Sequence, residues 1–248
     1  MMIIDELIEK ALAMDQGGKI KDIRAGLGYT CVLLDDNSCG MAYTFRKELG
    51  GCCGILKDAG KLIGMTAKEI IPWAKNNNRL KAAMGLAAIN AIINDPEKNW
   101  DKGNVVTAFT LKETDVFGMV GDFHPILSRV KKMTKNIYVF EQKVAEGSNL
   151  YPAESMPLYL PKCDVIVITA TSIINHTIDE ISSYCENVRE VCLVGSSTPL
   201  CPEVFKKHHI TLLAGSLAKK PEQILPIISQ GGGTMALKPA MEQVLVRI

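Results

Sequence analysis

CDVIVITATSIINHTIDEISSYC, residues 163–185, decides the fold. Its run DVIVITA, residues 164–170, is short, apolar and rich in β-branched residues, with no polar alternation. A strand of that kind is buried on both faces, as in a parallel sheet covered by helices. Small polar residues follow at once (Thr171, Ser172, Asn175, His176, Thr177), and then a helical stretch across NHTIDEISSYC. Apolar strand, polar turn and helix together make one βα unit.

Working outward, the same unit recurs. DVFGMVG (115–121), NIYVFEQ (136–142), EVCLVG (190–195) and ITLLAG (210–215) read as strands. Residues 125–133, CPEVFKK (201–207) and PEQILPIISQ (221–230) read as the helices between and after them. The tail from residue 231 adds one more helix or strand. Strands alternating with helices imply a parallel sheet with both faces covered, so residues 104–248 are expected to form a Rossmann-like domain.

The first part of the chain reads differently. MMIIDELIEKAL (1–12) is an amphipathic helix, with acids where a secretion signal carries positive charge. Residues 29–34 and CGMAYTF (39–45) are strands joined by the turn cluster Asp35-Asp36-Asn37-Ser38, a hairpin pattern. Two helices follow. Thr66 with Glu69 three positions on is a capping-box pattern. The Ala-rich helix from Leu80 ends at Asn94-Asp95-Pro96, a stop signal. Residues 1–103 are expected to be a small α+β domain, and PEKNWDKGN (96–104) the linker to the second.

Composition narrows the function classes. A formal charge of +1 and 6% aromatic residues offer no electrostatic or stacking surface for nucleic acid, and no charge for an anionic membrane. No apolar run reaches the ~18 residues of a membrane span. The expectation is a cytoplasmic protein whose partner is a small molecule, with a homo-oligomer allowed and no cofactor specified. The eight cysteines form no CxxC pair and read as free thiols. Cys52 and Cys53, in GGCCG, are either incidental thiols in a tight turn or soft-metal and redox candidates.

In open α/β sheets, ligands bind beyond the carboxyl ends of the strands. Those ends supply Gly121, Phe123 and His124, then Glu141, then Thr171, Ser172, Asn175 and Thr177, then Gly195, Ser197, Thr198 and Pro199. Glu141 lies 20 positions after Gly121, the spacing at which Rossmann domains place an acid for ribose hydroxyls. The loop GMVGDFHP is not GxGxxG, and Phe123 and Pro125 would crowd a pyrophosphate. A nucleoside-like or heterocyclic ligand fits better. His124 is a candidate proton-transfer group or metal ligand. For His208 and His209 a solvated turn is the favoured reading. Asn90, in an apolar helix, serves either as a structural hydrogen bond or as a polar group facing a site between domains. The chain carries no GxSxG, HExxH or Walker loop.

GMVGDFHP, the acid of VFEQ, CDVIVITATSIINHTID, LVGSSTPLCPEVF, LLAGS and GGGT together resemble the putative heavy-metal chelation domain family. AGKLIGMTAKEI and RLKAAMGLAAINAIIN are similar to the enolase-N-terminal-like domain that accompanies it. The resemblance implies an α/β architecture, an enolase-N-terminal-like α+β domain followed by a Rossmann-like parallel-sheet domain, with a site in the cleft between them. It implies a part in metal homeostasis. His124 and Glu141 would be the reactive pair, and the ligand a chelator precursor of pterin, flavin or siderophore type, to be condensed or hydrolysed, or a metal chelate. Two alternatives stay open. One is direct metal binding by Cys52, Cys53 and His124. The other is a protein like the S-adenosylmethionine-dependent methyltransferases.

Overall fold

A computed structural model describes residues 1–49 and 54–248. Helix α1 (Ile3–Met14) buries Ile3, Ile4, Leu7, Ile8 and Ala11, which recur at helical spacing and so share one face. Strands β1 (Ile20–Ala25), β2 (Tyr29–Leu34) and β3 (Cys39–Tyr43) form an antiparallel sheet in that order. The hairpin is where the sequence places it; β1 is an addition to it, disguised by the charges Lys21, Asp22 and Arg24 on its half-exposed edge.

Helix α2 (Ala67–Ile70) starts with the expected capping box: the Thr66 N–H donates to Glu69 Oε2 at 2.8 Å. After a 3₁₀ turn over Ile71–Lys75 comes α3 (Arg79–Ile93), capped by Asn78, whose Oδ1 accepts from the N–H groups of Leu80 and Lys81. Almost all of α3 is buried. Its small residues let backbone meet backbone: a Cβ at Gly40 of β3 would lie 2.1 Å from Ala87 O and 2.2 Å from Ala91 N. Only glycine fits there.

The second half begins with β4 (Asp101–Lys102), α4 (Val105–Ala108), β5 (Val116–Val120), α5 (His124–Val130), β6 (Asn136–Glu141) and β7 (Tyr151–Pro152). It continues through α6 (Met156–Tyr159), β8 (Val165–Thr169), α7 (Thr171–Ile174), α8 (Ile178–Ser183), β9 (Glu190–Val194) and α9 (Pro202–Phe205). It ends with β10 (Leu212–Ala218), α10 (Pro221–Ser229), α11 (Thr234–Leu237) and β11 (Met241–Arg247). The strand order is β4-β11-β10-β9-β8-β5-β6-β7. From β10 to β7 the pairs are parallel. β8 sits between two strands, and alternate residues face opposite cores. Val165 and Val167 pack with α5 residues Ile126 and Val130, and Ile166 and Ile168 pack toward α3, α7 and α8. That two-sided burial is why the run shows no polar alternation.

Three expectations need correction. The sheet is not wholly parallel: β11 runs antiparallel to β10, and β4 antiparallel to β11. The segment 96–104 is more than a linker, because Asp101 and Lys102 pair with Leu245 and Val244. The tail supplies both a helix and a strand. The two residues of β4 leave too short a pattern for periodicity to register, and the direction in which β11 pairs leaves none.

The halves share their packing. The core that includes α1 and α3 is continuous with the α7–α9 face of the large sheet. Helix α10, from the end of the chain, covers the other face of the small sheet, where Ile224 and Ile228 meet Cys31 and Met41. Among the described residues, no helix is long and apolar enough to cross a membrane.

Candidate functional site

The chain runs from β5 outward to β6 and β7, then returns to β8 on the other side of β5. Strand order therefore switches between β5 and β8, the place where helices leave to opposite faces and a crevice opens. A cleft of about 520 Å³ lies at these strand ends. That volume falls within the ~300–1,000 Å³ of small-molecule sites.

Each strand end contributes to the floor. Gly121 takes φ +91°, a left-handed conformation that glycine adopts without strain, and its N–H donates to Phe140 O at 2.9 Å. The next N–H, of Asp122, donates to Glu141 Oε1 at 2.7 Å, so Glu141 orders the loop that follows β5. At the end of β8, the hydroxyls of Thr169 and Thr171 lie 2.9 Å apart, and Ser172 Oγ donates to Thr169 O at 2.6 Å. Asn175 Oδ1 accepts from Thr177 Oγ1 at 2.8 Å and from its N–H at 3.3 Å. Thr177 stands at the N-cap position of α8. Its hydroxyl points instead to Asn175, and it makes no cap bond.

One wall comes from the small sheet. Tyr29, Tyr43 and Phe45 follow one another edge to face, with centroid separations of 6.3 Å and 5.2 Å. The lining also includes Met156, Ile181 and Tyr184. Tyr184 donates its hydroxyl to Glu180 Oε1 at 2.8 Å.

A set of bonds fixes the two halves around the cleft. The Tyr43 N–H donates to Ser197 Oγ at 2.9 Å. Asn90 Nδ2 donates to Met41 O at 2.8 Å and to Ser197 O at 3.2 Å. Asn94 Nδ2 donates to Thr198 O at 3.0 Å, while its Oδ1 accepts from Leu200 N at 2.8 Å. On the other side, His176 sits at φ +63° with Nε2 3.0 Å from Ala74 O, and Arg79 Nη1 donates to Ile174 O at 3.1 Å. The loops after β8 and β9 are thus pinned to the first half.

The structure brings most of the sequence candidates together. Gly121, Phe123 and Glu141 line the cleft, as do Thr171, Ser172, Asn175 and Thr177. Gly195 and Ser197 complete that group. Asn90 lies behind it, 1% exposed, bonded to backbone in its structural role, with its Oδ1 unpartnered among the described residues. Thr198 and Pro199 are buried and do not line the cleft. His124 points to solvent with a side chain 88% exposed, 3.6 Å from Asp122 Oδ2, and is not among the lining residues. Cys52 and Cys53 lie outside the described residues. His208 differs from the expected solvated turn: its Nε2 meets Glu6 Oε1 at 2.8 Å, beside Lys207 Nζ on Oε2 at 2.7 Å. His209 is exposed, at φ +59°.

Sequence reasoning missed the aromatic wall, Tyr184 and the clamp by Asn94. Tyr29 and Phe45 border predicted strands, yet nothing local shows that those strands face the ends of a different sheet. Asn94 looked like a helix stop, and it is also a clamp.

Six described cysteines are buried: Cys31, Cys39, Cys163, Cys185, Cys192 and Cys201. Burial pushes the thiols of Cys31, Cys163 and Cys185 up to about 12 and that of Cys201 up to about 11, and raises those of Cys39 and Cys192 as well. Thiols held protonated are poor metal ligands, since the thiolate is the ligating form. Among the described residues, no group of three or more His, Cys, Asp or Glu is arranged to hold a metal ion.

Comparisons with known proteins cover both halves. Two family models, each described as "Putative heavy-metal chelation", match residues 104–247 and 4–93. An uncharacterized protein of Methanocaldococcus jannaschii is 27% identical over 258 residues, spanning 100% of this chain and 98% of its own. Two solved structures from the DUF364 family, the family whose model matches residues 104–247, share the fold. A protein of unknown function from Desulfitobacterium hafniense superposes with a TM-score of 0.83 at 22% identity, over 99% of this chain and 97% of that one. Another, from Pyrococcus horikoshii, gives 0.86 at 22% identity over 100% of both chains.

Proposed function

Since the chain belongs to the putative heavy-metal chelation family, we propose that it serves chelation by holding a small organic molecule in the cleft between residues 1–103 and 104–248. The observation that carries this reading is the make-up of the cleft. An aromatic wall from one sheet faces glycine, hydroxyl and amide groups at the strand ends of another. A planar heterocycle has a face for Tyr43 and Phe45, and an edge for Glu141, Thr171 and Asn175. Small-molecule sites combine mostly apolar linings with a few placed polar groups in this way.

The chemistry of the described donors supports an organic ligand over bare metal. Their thiols are buried and protonated, and their histidines are dispersed. A metal would then enter as cargo of the bound molecule. A chelator precursor of pterin, flavin or siderophore type has the size and the flat rings for this site. Glu141 is the proton-transfer candidate within the cleft. His124, whose ring points to solvent from the first turn of α5, would reach the site only if that turn moved.

Native mass spectrometry of the purified protein incubated with a low-molecular-mass cell extract tests this reading. The expected result is an organic adduct that disappears on denaturation and is weakened in Tyr43→Ala. A metal adduct with no organic partner would overturn it.

A further inference from the structure

The cleft carries a charge pattern that its ligand must match; this inference rests on the cleft reading above. Asp122, Glu141, Glu154 and Glu180 line it, and among the described residues no Lys, Arg or His does. Residues 50–53, outside the described set, are Gly, Gly, Cys and Cys, so they add no cationic side chain. The hydrogen bonds of two of these acids are with neutral donors: Glu141 accepts from the Asp122 N–H, and Glu180 from the Tyr184 hydroxyl.

The cleft acids are not equally buried: Glu141 is half-buried, and Asp122, Glu154 and Glu180 are exposed. Elsewhere in the fold, Asp115, Glu190 and Glu6 are each buried and each paired with a cation, by Arg189 at 2.7 Å, Arg247 at 2.8 Å and Lys207 at 2.7 Å. No such pair within 4.0 Å involves Glu141, Glu154 or Glu180 among the described residues. Their negative charge borders a concave space whose lining includes Tyr29, Tyr43, Phe45 and Tyr184. Such a space focuses the field, and the faces of Tyr and Phe rings are themselves electronegative. A phosphate or carboxylate would find no basic side chain in the lining, and repulsion from the carboxylates.

We infer that the cleft selects a small organic cation, a protonated amine or positively charged heterocycle, with its positive pole toward Glu141 and Glu180 and its apolar body against Tyr43 and Phe45. A cation over an aromatic face, with carboxylates nearby, gains from both. Among the pterin-, flavin- and siderophore-type precursors proposed above, this excludes phosphorylated forms and keeps those that carry a protonated amine or a cationic ring.

The test is a titration of the full chain followed by amide chemical shifts, with three probes of one shape: benzyltrimethylammonium, benzyl alcohol and phenylacetate. The cation is expected to move the amides of Gly121, Gly195 and Ser197, to weaken as salt rises, and to bind at least about tenfold more tightly than phenylacetate. Glu141→Gln with Glu180→Gln is expected to lose about tenfold for the cation relative to benzyl alcohol. Glutamine keeps an acceptor for the Asp122 N–H, and the exposed Glu154→Gln gives a second, milder variant in the same direction. Phenylacetate binding as tightly as the cation at those amides, or a cation affinity unchanged in the double variant, would overturn the charge inference and leave the cleft reading intact. If none of the three probes moves those amides, both fall.

Discussion

The N–H of Tyr43 donates to the hydroxyl of Ser197 at 2.9 Å, between residues 154 positions apart. This bond joins the aromatic wall to the loop after β9, so the shape of the cleft depends on it. Ser197 is 2% exposed, and water cannot easily replace its hydroxyl. Ser197→Ala should cost about 1–2 kcal/mol by urea denaturation and weaken ligand binding in parallel. Normal stability with unaltered binding would show that the wall is held by other means.

Asn94 should matter more. It satisfies the carbonyl of Thr198 and the N–H of Leu200, both buried, on either side of Pro199. Asn94→Ala leaves both groups unpaired and should cost about 3 kcal/mol. Asn94→Asp keeps the acceptor for Leu200 and sets a carboxylate oxygen against the Thr198 carbonyl, so it should destabilise as well. Chemical denaturation of the two variants checks both.

Gly40→Ala tests the packing of β3 on α3. The added methyl would sit 2.1 Å from Ala87 O, and neither backbone can yield without moving its element. A loss of about 3 kcal/mol is expected, seen as a drop in melting temperature. A thermal midpoint equal to the parent's would contradict the close approach.

Thiol reactivity separates the cysteines. The six buried thiols are protonated at neutral pH and shielded, so a thiol-disulfide reagent should label none of them in the folded protein. Any prompt reaction should map to Cys52 or Cys53 by peptide mass analysis. Rapid labelling of Cys163 or Cys201 would show that the core opens.

The contact between α1 and the turn after α9 predicts a pH dependence. Lys207 and His208 hold the Glu6 carboxyl below its ordinary value of ~4.3. A carboxyl whose folded-state pKa is depressed contributes stability above its unfolded-state pKa, and that stability is lost as pH falls through the folded-state pKa. Glu6→Gln should therefore lower the melting temperature at pH 7, and the gap to the parent should close on acidification below pH ~4. A gap that stays constant down to pH 3 would mean that the loss is one of packing alone.

Much of this architecture was written in local pattern. The apolar runs ending at Thr169 and Val194 announce buried parallel strands, because a strand covered on both faces has no use for polar alternation. The polar residues just after them, from Thr171 to Thr177 and at Ser197, could be expected to lie together because the ends of parallel strands gather on one edge. What sequence could not show was which surface faces that edge. Tyr29 and Tyr43 belong to a separate antiparallel sheet, with Phe45 just beyond β3, and a long-range bond such as that of Tyr43 with Ser197 ties that sheet to the cleft. His124 shows the opposite limit. Its position in the chain, next to Phe123, suggested a reactive group, but the first turn of α5 directs its ring to solvent while Phe123 lines the cleft. The edge strand β4 escaped because two residues carry no period, and the tail, expected to add a helix or a strand, holds both α11 and β11, whose antiparallel direction has no signature of its own.

Equilibrium dialysis with a divalent heavy metal, followed by elemental analysis, tests the central claim most directly. The protein is dialysed alone and with a low-molecular-mass cell extract, each with and without the Tyr43→Ala substitution. If the organic molecule in the cleft carries the metal, retention should require both the extract and Tyr43. One equivalent of metal held by the protein alone, and lost in Cys52→Ser with Cys53→Ser, would contradict the account and place the chelating groups in the chain itself.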